Sequence, residues 1–150
     1  MSDPQIILRI FVAALACSML GLERSRRYQF IGARTFGLIG IGGAVAGAMA
    51  ARLGVIDPAA TSRTLQGMLA GIGFLGAGVI VHPGVRLRTV GVTTAAAIWV
   101  AAVLGFAAGI GEWLLVMAGA GFSLVLLVMP EPLASKEDRD RARREAETSR

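Results

Sequence analysis

Apolar residues run along this chain in blocks, each about a membrane thickness long, with short polar stretches between them. The blocks lie at Gln5–Leu22, Thr35–Ala51, Thr64–Val81, Gly91–Ala108 and Trp113–Met129. A helix needs about 20 mostly apolar residues to cross a hydrocarbon core of about 30 Å. Every block reaches or approaches that length. The pattern predicts an all-α membrane protein, a bundle of five transmembrane helices.

The polar stretches between the blocks carry stop and start signals. Residues 23–34 are strongly basic, with Arg24, Arg26, Arg27 and Arg34 against Glu23. Residues 52–63 contain Asp57-Pro58, an aspartate cap followed by a proline in the first helical turn. Pro83-Gly84 suits a type II turn. Residues 110–112 form a tight reversal, and the stretch after Pro132 is mostly polar and mixed in charge. The expected organisation is a transmembrane helical domain over 1–132 and a charged cytoplasmic tail over 133–150.

Orientation follows from the distribution of Lys and Arg. Under the five-helix reading, the first and third connections and the tail share one side. That side carries Arg24, Arg26, Arg27, Arg34, Arg86, Arg88 and the basic residues of the tail. The connections on the other side carry only Arg52 and Arg63. Basic loops stay cytoplasmic, so the N-terminus is expected outside and the C-terminus in the cytoplasm. A further pattern suggests a parallel two-helix repeat. Arg34-Thr35-Phe36-Gly37 opens the second block and Arg88-Thr89-Val90-Gly91 the fourth, with Leu20-Gly21 and Leu75-Gly76 upstream.

Composition supports the membrane reading. The 150 residues are 55% hydrophobic and 17% charged, against about 25% charged in soluble domains. The net charge of +5 is gathered between apolar runs, which argues for membrane topology and against nucleic acid. Cys17, the single cysteine, lies inside an apolar helix and reads as packing. No nucleophile–base set, phosphate loop or cluster of metal ligands is written in the chain, so neither enzyme activity nor a cofactor is expected.

Glycine is the most distinctive residue. Gly43/Gly47, Gly67/Gly71 and Gly105/Gly109 form GxxxG pairs, and Gly73, Gly76 and Gly78 crowd the third block. Such spacing lets helix backbones approach closely, so all nine are candidate packing positions. Polar residues gather on two sides. On the cytoplasmic side the topology collects Glu23, Arg24, Arg34, Thr35, Arg88, Thr89, Thr93 and Thr94. Two helix N-termini point there, and their free N–H groups and positive dipole ends favour anions. Three readings stay open: Glu23 clamps an arginine, the arginines hold a lipid headgroup or phosphate, or they serve only as topology determinants. On the outer side stand Asp57, Arg63 and Gln66. One carboxylate does not make a magnesium site. Arg9, inside the first block, either snorkels to the surface or pairs within the bundle. Trp99 is expected to make a bundle contact.

Several strings resemble the MgtC/SapB family: Gly21-Leu22-Glu23-Arg24, Ala33-Arg34-Thr35, Asp57-Pro58, Gly71-Ile72-Gly73-Phe74-Leu75-Gly76-Ala77-Gly78-Val79-Ile80, Gly91-Val92-Thr93-Thr94-Ala95-Ala96 and Trp99. They occur in family order. The resemblance implies a multi-pass protein of the bacterial inner membrane, a homodimer, and a role in adaptation to magnesium limitation. Members are linked to survival in macrophages and to restraint of the ATP synthase, so another inner-membrane complex is an implied partner, besides membrane lipid. The best-known member carries a folded cytoplasmic domain after its helices, where this chain has a short charged tail. The expected function is regulatory. The alternatives are an ion or small-solute transporter or channel, and a module that binds anionic lipid.

Overall fold

A computed structural model describes residues 3–27, 31–80 and 91–129. Within them the chain folds as five helices: α1 (Asp3–Arg27), α2 (Ala33–Leu53), α3 (Ala59–Ile80), α4 (Val92–Ile110) and α5 (Trp113–Val128). No strand occurs among the described residues. The expected tail at 133–150, together with Arg86, Arg88 and Thr89, lies outside them.

Helices α1 to α4 are long and apolar enough to cross a membrane. Helix α5 is shorter, 16 residues, or about 24 Å at the usual rise per residue. Five helices thus lie at the five expected blocks, four of them of membrane-crossing length and the fifth a shorter apolar helix. Helix α1 also runs further than its apolar block. It continues through Glu23 and Arg24, which lie on its final turns and not in a loop after it.

The bundle is organised by small residues. Helix α4 is the most enclosed, with buried residues along its length from Thr94 to Gly109. Alanine and glycine on it let neighbours approach until backbones meet. A Cβ on Gly43 would stand 2.6 Å from the Ala102 carbonyl, and one on Gly105 would collide with the Gly40 carbonyl. Gly47 and Gly109 continue the same seam against Phe106 and Ala44. The other side of α2 meets α1 in the same way. Gly40 lies against Cys17 and the Ala13 carbonyl, Gly37 against the Ser18 hydroxyl, and Gly21 of α1 against Ala33. Helix α2 is thus held between α1 and α4 through separate stripes of glycine.

Larger side chains fill what remains. Cys17, Leu20, Phe36, Ile98 and Leu104 form one buried cluster, against which Ile39, Ile72 and Val79 pack. Ala13, Ala44, Ala108 and Val116 form a second. Helix α3 differs from the others in having no buried residue at all. It leans on α4 through Ile72, Gly76 and Val79 and exposes Phe74 and Leu75.

The reversal between α4 and α5 is closed by Arg9. Its Nη1 donates to the Gly109 carbonyl at 2.8 Å, and its guanidinium lies against Gly111, which has φ +97°. A side chain at residue 111 would be strained and would meet the arginine. A cation at the carbonyl end of α4 is also favoured by the helix dipole. Of the two readings open for Arg9, the structure shows pairing within the bundle. Trp99, for which a bundle contact is expected, is 47% exposed and so partly covered.

Candidate functional site

The polar end of the bundle is assembled by the apolar cluster above it. Leu20 of α1, Phe36 of α2 and Ile98 of α4 belong to one core. One turn beyond Leu20 on α1 stands Arg24, and one turn before Ile98 on α4 stands Thr94. Because the apolar layer is shared, the C-terminal end of α1 and the N-terminal ends of α2 and α4 are held side by side. Gly21 tightens this, since a Cβ there would lie 2.7 Å from the Ala33 Cα. Arg34 and Thr35 follow immediately on α2.

Among the described residues of this end, Arg24 and Thr94 are the two buried polar residues, at 3% and 6% exposure. Arg24 continues the buried stripe of α1 through Ala13, Cys17 and Leu20. The spacing alone placed it at the end of a span, not on the core face. Burying a guanidinium is costly unless it is hydrogen-bonded or paired, and both Arg24 and the half-buried Glu23 are engaged in interactions. Arg34, Thr35 and Thr93 are exposed. The nearby Ser25 hydroxyl donates to the Gly21 carbonyl at 3.1 Å, which keeps it on its own helix.

Helix α2 begins without a side-chain cap. Gly32 occupies its N-cap position, and no side chain caps the first turn. Helix α4 begins at Gly91, with φ +111° and its α-carbon close to the Val79 carbonyl. Only glycine takes that conformation without strain, so this residue fixes how α4 starts beside the end of α3.

Asp57, Arg63 and Gln66, expected on the outer side, are arranged differently. Asp57 Oδ1 accepts a hydrogen bond from the Ala59 amide at 2.9 Å, capping α3, and Oδ2 pairs with Arg63. Thr61 Oγ1 donates to the Ala50 carbonyl at 3.1 Å, tying the start of α3 to the end of α2. Both Asp57 and Arg63 are more than half exposed, so their ion pair adds little to stability. Gln66 is exposed. No group of three or more metal-ligating side chains occurs among the described residues.

The nine candidate packing glycines divide into two sets. Gly43, Gly47, Gly105 and Gly109 meet the backbone of a facing helix. Around Gly67, Gly71, Gly73 and Gly78 there is only open space, and Gly76 makes an ordinary contact with Ala95 at 3.8 Å. Close packing of α3 through its glycines therefore does not occur within one chain. The sequence reading missed Gly21, Gly37 and Gly40, which carry the α1–α2 contact. Gly40 and Ala44 form a small-xxx-small pair that a search for GxxxG alone overlooks.

Between α2, α3 and α4 lies a cavity of about 630 Å³. Its walls are apolar except for Thr35 at one end.

Comparison with known proteins adds the family. Residues 10–136 match the MgtC family. Protein SrpB of Synechococcus elongatus is 38% identical over 131 residues, covering 79% of this chain and 71% of the relative. YhiD of Escherichia coli (strain K12), provisionally named a magnesium transporter, is 35% identical over 130 residues, covering 82% and 59%. Protein MgtC of Salmonella typhimurium (strain LT2) is 36% identical over 107 residues, covering 71% and 44%. The chain thus spans about half the length of the last two relatives. No solved structure matches the chain.

Proposed function

The chain belongs to the MgtC family, and on that premise we propose that it serves adaptation to magnesium limitation in the bacterial inner membrane by acting on another complex there. The N-terminus faces outward in this reading, and the polar end with Arg24, Arg34 and Thr94 faces the cytoplasm. Magnesium enters through the family resemblance and the name of the Escherichia coli relative.

The observation that carries the regulatory reading is the closed interior. Helices α2 and α4 meet backbone to backbone at Gly43, Gly47, Gly105 and Gly109. Among the described residues, the cavity beside them has one polar side chain in its lining, Thr35. A path for a hydrated cation needs polar or charged groups to replace lost water. An apolar cavity beside a dry helix seam supports action by contact better than conduction. The exposed surface of α3 and the polar end are the surfaces such contact would use.

The test is purification of the tagged protein from native membranes at low and high magnesium, together with reconstitution into vesicles holding a magnesium-sensitive dye. A membrane complex recovered at low magnesium, with no magnesium entry into the vesicles, is the expected result. Magnesium entry that Thr94→Val abolishes would replace this reading with transport.

A further inference from the structure

The cavity between α2, α3 and α4 is a groove with distinct ends. One wall is α2, through Thr35 and Gly42; the other is α3, through Gly71 and Leu75; Ile98 and Ala102 of α4 form the floor. The space between the walls is left unfilled where both present glycine to the gap. At Gly42 and at Gly71, a Cβ would meet nothing within 4 Å. Helix α3 closes on α4 at Ile72, Gly76 and Val79, which seals the floor and leaves the side away from α4 open.

The length of the groove is informative. Along α3 its lining runs from Met68 to Val79, about 16 Å at the helical rise per residue. One leaflet of the hydrocarbon core is about 15 Å deep. The groove therefore extends from the polar end of the bundle to about the bilayer midplane. In a membrane such a space does not stay empty, because its walls would forfeit their dispersion contacts. Nor does it suit water, which needs two or more polar partners.

The two ends differ in charge. The deep end, around Met68 and Ala102, is apolar. The shallow end lies at the first turn of α2, with Ile31 and Thr35 in the lining. That turn has no side-chain cap, and exposed Arg34 adjoins it. The dipole end of α2, the Thr35 hydroxyl and the Arg34 guanidinium together favour an anion. The groove is thus apolar along one leaflet and electropositive at its mouth.

The geometry points to a phospholipid site: an acyl chain of the leaflet at the polar end lies between α2 and α3, with its anionic headgroup at Arg34 and the α2 N-terminus. This goes beyond the regulatory reading and stands whether or not the protein acts on another complex. The competing occupant is a second copy of the chain, inserting a helix along the α3 glycines.

Spin-labelled lipids distinguish the two. The full chain is reconstituted with chain-labelled phosphatidylglycerol or phosphatidylcholine, and electron paramagnetic resonance reads the motionally restricted fraction. The wild type should restrict phosphatidylglycerol in excess of phosphatidylcholine. Gly42→Leu and Gly71→Leu, on opposite walls, should each lose restricted lipid by filling the groove. Gly73→Leu, also in open space but away from the lining, should keep it. Arg34→Ala should remove the headgroup preference and leave the chain restricted. Equal restriction of both lipids by the wild type would overturn the proposal. So would restriction unchanged in both leucine variants. Loss of a cross-linkable dimer in those variants, with lipid restriction unaltered, would assign the groove to a second copy.

Discussion

Two GxxxG motifs, in α2 and α4, lie with their glycines against each other's backbones; a third, in α3, has nothing beyond it. The spacing is the same, and the helices are of similar length. The difference lies in what faces them. In α4, about two thirds of the membrane-length stretch is buried, whereas α3 has no buried residue. Glycine at this spacing permits close approach in a membrane helix, but it does not name the partner. Where a partner within the chain is present, the glycines make a dry seam. Where it is absent, the same residues leave a groove.

The comparison can be broken by adding side chains. The largest effect is expected at the seam. Gly109→Leu would drive a side chain into the Ala44 carbonyl and the Ala48 amide. Both are backbone groups that no rotamer change can move aside. Overpacking typically costs about 1–3 kcal/mol, and a clash with backbone should fall at or beyond the upper end of that range. Thermal unfolding in lipid nanodiscs would show it as a marked fall in Tm.

A smaller effect sharpens the account at the one glycine of α3 that touches α4. Gly76 has Ala95 at ordinary contact distance. Gly76→Ala should fit without displacement and should favour the helix by up to about 1 kcal/mol. A modest rise in Tm, or none, is expected in the same measurement. A large fall would mean that α3 sits closer to α4 than described.

Much of the fold was legible in the sequence. The apolar blocks located every helix, because in a membrane each span must satisfy its own backbone and must be long and apolar to do so. Asp57-Pro58 marked the start of α3, since a carboxylate cap is a local interaction that needs no tertiary partner. The end of α1 lies beyond its apolar block: the helix carries Arg24 on its buried stripe and runs on to Arg27.

The candidate site was legible in part. Glu23, Arg34 and Thr94 are brought to one end by the packing of Leu20, Phe36 and Ile98, as the alternation of spans suggests. Burial of Arg24 and Thr94, with Arg34 and Thr35 left exposed, depends on helix rotation about the axis, which hydropathy along a uniformly apolar span does not encode. The groove was not legible at all. It arises from one glycine face meeting backbone and another meeting none, and only the three-dimensional arrangement separates those cases.

The most direct test sets one glycine from each region side by side. Gly47→Leu, on the seam, and Gly67→Leu, on the open face of α3, introduce the same side chain into a GxxxG pair of each region. Thermal unfolding of both, in one lipid composition, should give a large fall in Tm for Gly47→Leu and little change for Gly67→Leu. Equal falls would show that the face of α3 is packed as tightly as the seam and would contradict the account.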